Sequence, residues 1–259
     1  MRFENQVVIV TGAGYGIGRG IAEAFAREGA RVVLAGRSSD KLAQVAAALS
    51  AGPAKPLVVP TDVRLEAEVD RLVSTAHQKL GRLDVLVNNA GIAGPTALAR
   101  DTTLADWDET LRVNLTGAFL CARRAAAILI EARRGAIVNI ASVAGRMGYP
   151  MRSPYAASKW GMIGLSHSLA AELGPYGVRV NAVLPGSTEG ERIERVIAAR
   201  SKAEGSTPDE VRRWFTKDTP LQRMVTADEV ARAVLFLASD DASGITGQAF
   251  SVCGGFQMR

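Results

Sequence analysis

A glycine-rich loop between a short apolar run and a helical pattern is the feature that most constrains the fold of this chain. The apolar residues 6–10 lead directly into residues 11–18, which read TGAGYGIG. A helical repeat of apolar residues follows and stops at Gly29, and residues 31–35 form a second apolar run. A strand, such a loop, a helix and a strand within about 30 residues make the unit that binds the phosphates of a dinucleotide.

The glycines have a physical role in that unit. Because they lack a Cβ atom, the backbone can turn tightly and approach a pyrophosphate, whose negative charge is met by the helix N-terminus. Since a strand pattern precedes the loop and a helix pattern follows it, we predict that the loop binds such a group. The predicted contacts are Gly12, Gly14, Tyr15, Gly16, Ile17 and Gly18.

Apolar runs and helical patterns alternate along the rest of the chain. Further strand candidates lie at residues 57–59, 83–88, 136–140, 178–184 and 248–252, and helical stretches such as residues 66–80 separate them. This alternation implies a parallel sheet covered by helices on both faces. The sequence therefore predicts a single α/β domain over residues 1–259, with the doubly wound, seven-stranded parallel sheet of the Rossmann fold. A capping box at residues 226–229 predicts a last helix over residues 227–239.

Composition and charge argue against several classes of function. The net charge is +5, but the arginine pairs are scattered over helical patterns rather than gathered into one basic stripe, so we expect no nucleic-acid partner. We find no apolar run of membrane-spanning length, and the first strand begins too close to Met1 for a signal peptide. Cys121 and Cys253 stand alone without metal-ligand spacing, so we expect no metal site and a reducing, cytoplasmic location.

A second group of residues lies in the middle of the chain. Tyr155 and Lys159 are four residues apart, so on a helix they share one face. The ammonium favours the phenolate, and such a tyrosine can give and take a proton in alcohol–carbonyl chemistry. Ser142 follows the strand candidate 136–140, where its hydroxyl either holds a carbonyl oxygen or only begins a turn. The pair is suggestive alone and becomes specific beside the glycine loop.

From Phe3 to about Gly255, the chain resembles the short-chain dehydrogenase/reductase family. The motifs that carry this resemblance, in order, are the glycine loop, Asp62-Val63, the NNAG run at residues 88–91, Asn114, Ser142, the Tyr155–Lys159 pair and Pro185-Gly186. The resemblance implies an NAD(P)(H)-dependent oxidoreductase that transfers a hydride between nicotinamide and a carbonyl or secondary alcohol of a small molecule. The alternative is a non-catalytic dinucleotide-binding redox sensor or scaffold, which needs only the glycine loop.

The resemblance also implies catalytic roles. Tyr155 is the general acid/base, Lys159 assists it and bonds the nicotinamide ribose, and Ser142 holds the substrate oxygen. Asn114, within a helical pattern, is either a proton-relay residue that bonds backbone and water or a tolerated surface residue. The presence of all four favours catalysis over sensing.

Further cofactor contacts follow from the same resemblance. They are Asp62 and Val63 beside the adenine, Asn89, Ala90 and Gly91 behind the adenosine ribose, and Pro185, Gly186 and Thr188 near the carboxamide. Asp62 could equally cap the helix that begins near Glu66. Gly190 stands where relatives commonly have a threonine, so the resemblance leaves the carboxamide contact to the backbone of Thr188.

The choice between NADP(H) and NAD(H) depends on the end of the second strand. NAD enzymes usually place an acid there, whereas this chain has Gly36 followed by Arg37 and Ser38. A guanidinium beside a small hydroxyl suits a 2′-phosphate. Against this, Tyr15 stands where many NADP-using relatives carry a base, and Arg37 could simply be exposed. We expect NADP(H), with NAD(H) as the alternative.

Two arginines suggest an anionic substrate. In similar enzymes the segment before Tyr155 lines the substrate pocket, and residues 187–220 form a helical substrate lid. Arg152 and Arg192, one in each segment, could converge on a carboxylate, sulfonate or phosphate. Alternatively, Arg192 belongs to a solvated, salt-bridged helix face, and Arg152 pins a loop or faces a neighbouring subunit. The resemblance also implies a homotetramer, to which the apolar residues 247–256 would contribute.

Overall fold

The structure, a computed structural model, describes residues 1–50 and 55–256. Within them, seven strands form one sheet. These strands are β1 (Val7–Thr11), β2 (Arg31–Gly36), β3 (Leu57–Pro60), β4 (Val85–Asn88), β5 (Gly135–Ile140), β6 (Val178–Pro185) and β7 (Ala249–Val252). Each strand prediction is confirmed, with bounds that differ by two residues or fewer.

The strands run parallel in the order β3-β2-β1-β4-β5-β6-β7, so the predicted doubly wound sheet is confirmed. β1 is buried along its whole length, as a parallel strand covered on both faces must be. From β1 the chain winds outward to β3 and then crosses back to place β4 on the other side of β1. The carboxyl ends of β1 and β4 therefore flank the topological switch point, where open α/β sheets bind their ligands.

Helices cover both faces of this sheet. They are α1 (Gly16–Arg27), α2 (Ser39–Leu49), α3 (Glu66–Leu80), α4 (Leu104–Leu111), α5 (Gly117–Ala132), α6 (Ser153–Leu173), α7 (Glu191–Glu204), α8 (Pro208–Thr216) and α9 (Ala227–Ala238). Phe25 of α1 and Val234 of α9 belong to one buried apolar cluster, and Leu72 of α3 and Leu129 of α5 belong to another. The helix predicted over residues 66–80 is confirmed, and so is the capping box before α9.

One helix is longer and more apolar than the sequence led us to expect. α4, a π-helical turn (Arg112–Thr116) and α5 are continuous, and the resulting helix Leu104–Ala132 is long and apolar enough, by length and composition, to cross a membrane. Half of its most apolar window is buried inside the protein. This helix contributes Leu129 and Cys121 to the core, so its apolar character has a structural cause within the fold.

Residues 187–220 contain α7 and α8, between β6 and α9. Ile193 of α7 and Phe215 of α8 belong to a small apolar cluster separate from the two large ones on the sheet. Tyr149 and Trp214 pack against this small cluster. The two helices therefore lie against the loop that precedes α6.

Candidate active site

A cleft of about 1000 Å³ opens beside the carboxyl ends of the central strands. Every residue that the sequence analysis assigned to cofactor or substrate lines this cleft. Of the predicted catalytic residues, Ser142, Tyr155 and Lys159 also line it, whereas Asn114 is fully buried behind its wall. The fold thus brings motifs from both halves of the chain around one cavity.

The glycine loop is shaped to receive an anion. α1 begins after Tyr15 with no side-chain cap and no acid in its first turn, so its backbone N–H groups are left for a ligand. A Cβ atom on Gly18 would overlap the carbonyl oxygen of Gly12 and the amide of Asn89. Gly16 has a φ of 56°, in the left-handed region that favours glycine. These residues fit the diphosphate of a dinucleotide.

Thr11 and Asn89 hold this loop against β4. The Thr11 hydroxyl accepts hydrogen bonds from the backbone N–H groups of Asn89 and Ala90, at 3.0 Å each. The Asn89 amide donates to the carbonyls of Thr11 at 2.9 Å and Gly12 at 3.2 Å. The NNAG run is therefore a support for the glycine loop as well as a strand-to-loop turn.

The alternative role of Asp62 as a helix cap is wrong. α3 begins after Leu65, and no side chain caps it. The Asp62 carboxylate instead accepts hydrogen bonds from the backbone of Arg64 at 3.0 Å and from its Nε at 2.9 Å. The hydrogen bonds from Arg64 hold the pKa of Asp62 below its usual range. Asp62 and Val63 form part of the cleft wall after β3.

Two cations lie where the cleft meets the end of β2. Arg37 is exposed at this edge, and the Lys41 ammonium lies 5.0 Å from the ring centroid of Tyr15. Ser38 is the N-cap of α2, and its hydroxyl accepts a hydrogen bond from the Lys41 backbone at 3.4 Å. Sequence reasoning did not single out Lys41, although its place in the first turn after Ser38 is a usable signal.

Tyr155 and Lys159 lie one turn apart on α6, as their spacing predicts. The Lys159 ammonium lies 5.7 Å from the ring centroid of Tyr155 and donates to the Ile140 carbonyl at 2.7 Å. Burial lowers the pKa of Lys159 to about 7. Ser142 is buried at the end of β5, and its hydroxyl accepts a hydrogen bond from the Ala144 backbone at 3.2 Å. Ser142 therefore begins a turn and also lines the cleft.

Asn114 is not a surface residue, so that alternative is wrong. It lies in the π-helical turn, where its Oδ1 accepts from the Ile92 N–H at 2.7 Å and its Nδ2 donates to the Ile92 carbonyl at 3.0 Å. Nδ2 also donates to the Ser158 hydroxyl at 3.0 Å, which in turn donates to the Tyr155 carbonyl at 2.7 Å. Asn114 thus connects the loop after β4 to α6.

Arg152 is buried at the start of α6, among neutral groups. Its Nη2 donates to the Ala93 carbonyl at 2.7 Å and its Nη1 to the Thr96 hydroxyl at 3.4 Å. Its Cζ lies 5.7 Å and 5.4 Å from the ring centroids of Tyr149 and Tyr155. Its Nε has no hydrogen-bond partner within the described chain. Arg152 therefore pins a loop, as one alternative predicted, and lines the cleft as well.

Arg192 does not belong to a solvated, salt-bridged helix face, so that alternative is wrong. Its Nη2 donates to the Gly91 carbonyl and, at 3.5 Å, to the Tyr15 hydroxyl. Arg195 does follow the salt-bridged pattern, with Nη1 4.0 Å from the exposed carboxylate of Glu191. Arg192 instead reaches from the first turn of α7 across the cleft to the glycine loop.

Other residues of the cleft wall have contacts or positions that no sequence motif indicates. Thr188 lines the cleft, and its hydroxyl donates to the Gly186 carbonyl at 3.2 Å. Tyr149, Trp214 and Phe215 also line it, and sequence reasoning did not select them. The only signal for the last two was the amphipathic pattern of the helix that became α8.

A doubly wound parallel sheet with a glycine-rich loop at its switch point defines the class of dinucleotide-binding proteins. Beside that loop, Ser142, Tyr155 and Lys159 supply groups suited to proton exchange with a carbonyl or hydroxyl oxygen. Together they define a dinucleotide-dependent oxidoreductase.

Comparisons with known proteins agree. The family model described as Enoyl-(Acyl carrier protein) reductase matches residues 12–257. The chain is 39% identical over 254 residues to 2-(S)-hydroxypropyl-CoM dehydrogenase 3 of Xanthobacter autotrophicus, covering 98% of this chain and 97% of the relative. It is 40% identical over 255 residues to 3-oxoacyl-[acyl-carrier-protein] reductase of Synechocystis, with coverages of 98% and 97%.

Solved structures are similarly close. The NAD+-bound xylitol dehydrogenase has a TM-score of 0.95 and 32% identity, covering 98% of this chain and 100% of that one. Levodione reductase has a TM-score of 0.93 and 36% identity, with 98% of each chain covered. The chain belongs to the short-chain dehydrogenase/reductase family, and it is an NAD(P)(H)-dependent oxidoreductase that acts on an alcohol or carbonyl.

Proposed function

We propose that this protein is an NADP(H)-preferring oxidoreductase in which Tyr155 transfers the proton and Lys159 and Ser142 assist it. The observation that carries this proposal is the Tyr155–Lys159 pair in the same cleft as the glycine loop, with the Lys159 ammonium 5.7 Å from the ring centroid of Tyr155. Bound nicotinamide supplies or accepts the hydride. Tyr155 gives a proton to the carbonyl oxygen in reduction and takes it from the hydroxyl in oxidation.

The neighbours of Tyr155 have complementary roles in this proposal. The Ser142 hydroxyl donates to the substrate oxygen and stabilises the charge that develops on it. Lys159, one turn from Tyr155 on α6, assists it and bonds the nicotinamide ribose. Asn114 acts through Ile92 and Ser158, whose hydrogen bonds position α6, and completes a proton relay with water. The remaining cofactor contacts are those assigned in the sequence analysis, from Gly12 to Thr188.

The preference for NADP(H) rests on the charge at the end of β2. Arg37 and Lys41 bring two cations there, and Gly36 leaves no carboxylate to repel a 2′-phosphate. We expect Arg37→Ala to weaken NADP(H) binding about ten- to hundredfold and to leave NAD(H) binding almost unchanged. Arg27→Ala, which removes an exposed arginine on α1, is the charge-matched control. A native preference for NAD(H), or equal losses for both cofactors, would contradict the assignment.

Turnover is the direct test of the activity. A panel of alcohols and carbonyl compounds assayed with NADP(H) and NAD(H) should contain pairs that the protein oxidises or reduces. Complete inactivity with both cofactors, alongside measurable cofactor binding, would favour the sensor or scaffold alternative.

The proposal extends to the surroundings of the site. Residues 187–220, with α7 and α8, act as the substrate lid over a small alcohol or carbonyl substrate that carries a negative charge. The protein works as a cytoplasmic homotetramer without a nucleic-acid or membrane partner. The exposed Phe250 on β7, at the edge of the sheet, supports a subunit contact there.

A further inference from the structure

Three basic side chains lie at the catalytic end of the cleft without an ion-pair partner in the described part of the chain. Arg152, Lys159 and Arg192 all line this part of the cavity. Their hydrogen-bond acceptors are backbone carbonyls and the hydroxyls of Thr96 and Tyr15. Within residues 1–50 and 55–256, none of the three forms an ion pair with a carboxylate. Glu189 and Glu191 also line the cleft, but within those residues neither forms an ion pair with any of the three.

These charges are close enough to influence one another. Burial is the main cause that lowers the pKa of Lys159, and the positive charge of Arg192 acts in the same direction. Burial likewise lowers the pKa of Arg152, and the charge of Arg192 again adds to the effect. Since a buried charge is costly unless it is paired, an anion bound among the three basic groups would favour their charged forms.

Arg152 is a buried, fixed residue of the cleft wall. Its side chain is only 4% exposed, and the rings of Tyr149 and Tyr155 lie on it. Its Nε is a buried donor without a partner. A fixed guanidinium beside Tyr155 that keeps an unused donor is suited to an anionic group close to the reacting carbon.

Arg192 lies on the opposite side of the cleft from Arg152. It begins on α7 and donates to two neutral acceptors, the Gly91 carbonyl and the Tyr15 hydroxyl. An oxyanion would add Coulomb attraction and bidentate geometry, which these neutral acceptors do not offer. An oxyanion beside Arg152 would therefore compete well for Arg192.

We propose that the substrate carries an oxyanion, held by Arg152, which draws Arg192 away from Gly91 and Tyr15 and so brings the first turn of α7 over the substrate. This inference rests on the proposed function and adds to it the class of substrate and the trigger of lid closure. The substrate is a small hydroxy or oxo compound whose carboxylate, sulfonate or phosphate lies near the reacting carbon. The negative charge of the substrate thus triggers closure of the lid.

Matched substrates test the class. We would assay 2-oxobutanoate, 3-oxobutanoate and 4-oxopentanoate against their methyl esters. In the wild type, kcat/KM should favour the acid of at least one pair by about tenfold or more. Arg152→Ala and Arg192→Ala should lower kcat/KM for the acid about ten- to hundredfold more than kcat/KM for the ester. Arg152→Lys, which keeps the charge, should recover part of the acid preference.

The controls separate this role from loop support. Arg146→Ala removes an exposed arginine of the same loop, one that does not line the cleft, and should not change the acid preference. Equal losses on acid and ester in Arg152→Ala would reduce Arg152 to a structural pin and overturn the inference. Ester turnover without any acid preference would also overturn it, while the proposed oxidoreductase activity would stand.

A binding experiment decides the question without turnover. Hydrogen exchange of Glu191–Glu204 would be measured in protein saturated with NADP+, with butyrate, propane-1-sulfonate or the neutral butyramide added. We expect the two anions to protect this helix in the wild type, and we expect Arg192→Ala to abolish that protection. Lys202→Ala should retain it, because this exposed cation of the same helix does not line the cleft.

Two outcomes of that experiment overturn the proposal. One is equal protection by butyrate and butyramide. The other is Arg192-dependent protection by NADP+ alone, with no further effect of the anions, which would assign Arg192 to the cofactor diphosphate. Cofactor-dependent changes elsewhere in the chain would show in either case that the protein still binds a dinucleotide.

Discussion

Lys159 is the residue whose chemistry depends most on where the fold places it. The residue is 4% exposed, and its ammonium donates to the Ile140 carbonyl. Burial lowers its pKa from 10.5 to about 7, so the folded chain releases a proton that the unfolded chain keeps. The charged and titratable groups that act on it are Tyr155, one turn away, and Arg192. A side chain proposed to assist proton transfer thus also links folding to pH.

The direction in which stability changes with pH can be measured. Between about pH 7 and pH 10.5 the unfolded state binds the Lys159 proton and the folded state does not, so this residue makes the cofactor-free protein more stable as pH rises. We expect the stability of Lys159→Met, from urea unfolding at pH 7, 8 and 9, to rise less than that of the wild type. Parallel pH curves would show that Lys159 keeps its proton in the folded state.

Tyr155→Phe tests the proton donor. The change removes one hydroxyl and keeps the ring that packs beside Arg152 and Tyr149. We expect turnover to fall by about a hundredfold or more, with cofactor affinity within about threefold of wild type. Tyr176→Phe, at a half-exposed tyrosine away from the cleft, is the matched control. Turnover of Tyr155→Phe within about threefold of wild type would remove Tyr155 from its assigned role.

Single side chains were predictable where a short spacing defines their contact. Tyr155 and Lys159 meet because a helix places positions four apart on one face. Arg192 was not predictable in the same way, because its partners Gly91 and Tyr15 are distant in sequence. Its neighbours along the chain, alternating with acids, indicated a solvated face instead. Long-range contacts of this kind depend on packing that no local pattern encodes.

Among the elements of the fold, the glycine loop and α1 are the most constrained by sterics. Asn89 bonds the carbonyls of Thr11 and Gly12 on one side of the loop, and Gly18 closes against the same atoms. The loop therefore holds its shape through the side-chain hydrogen bonds of Asn89 and the close backbone approach at Gly18. A methyl group at the wrong position would disturb both the helix and the strand end.

Gly18→Ala tests this packing. Its Cβ atom would overlap the Gly12 carbonyl oxygen, so backbone must move. We expect a destabilised protein with cofactor affinity reduced about tenfold or more, measured by thermal unfolding and nucleotide titration. Gly164→Ala, on α6 with no described atom within 4 Å of the new Cβ, should be neutral or slightly stabilising. Similar behaviour of the two variants would mean that the loop tolerates the shift.

The strands and most helices were predictable from sequence because their apolar periods are strong. β5 and α3 carry such patterns, and the structure places them where the patterns indicate. The π-helical turn around Asn114 was not predictable, since its cause is the bonds between the Asn114 side chain and Ile92. Trp214 and Phe215 were missed for a similar reason, because they belong to the cleft only after α8 has packed against α7.

Across the whole molecule, exposed apolar side chains suggest where further copies pack. Phe250 on β7 is 45% exposed and Leu221 is 59% exposed, and the two line one surface depression. Large exposed apolar groups that share one patch often mark an interface. This supports the homotetramer proposed on family grounds.

Light scattering tests the assembly. We expect four times the mass of one chain at micromolar concentration, because a closed symmetric oligomer buries such patches. Phe250→Glu should shift the population toward smaller species, since it places a charge in the contact. A wild-type monomer at that concentration would refute the tetramer, and an unchanged tetramer in Phe250→Glu would place the contact elsewhere.

The strand order also has a consequence for synthesis on the ribosome. β1 emerges first, yet it becomes the centre of the sheet, and only β2 and β3 arrive soon after it. Its other edge, with unpaired backbone groups, must wait until Val85–Asn88 has been translated, which takes several seconds at a typical rate. During that interval the nascent chain presents an open apolar strand, the kind of surface that trigger-type chaperones shield and that pairs wrongly when left bare. The free edge of β1 thus remains open to wrong pairing until β4 has been made.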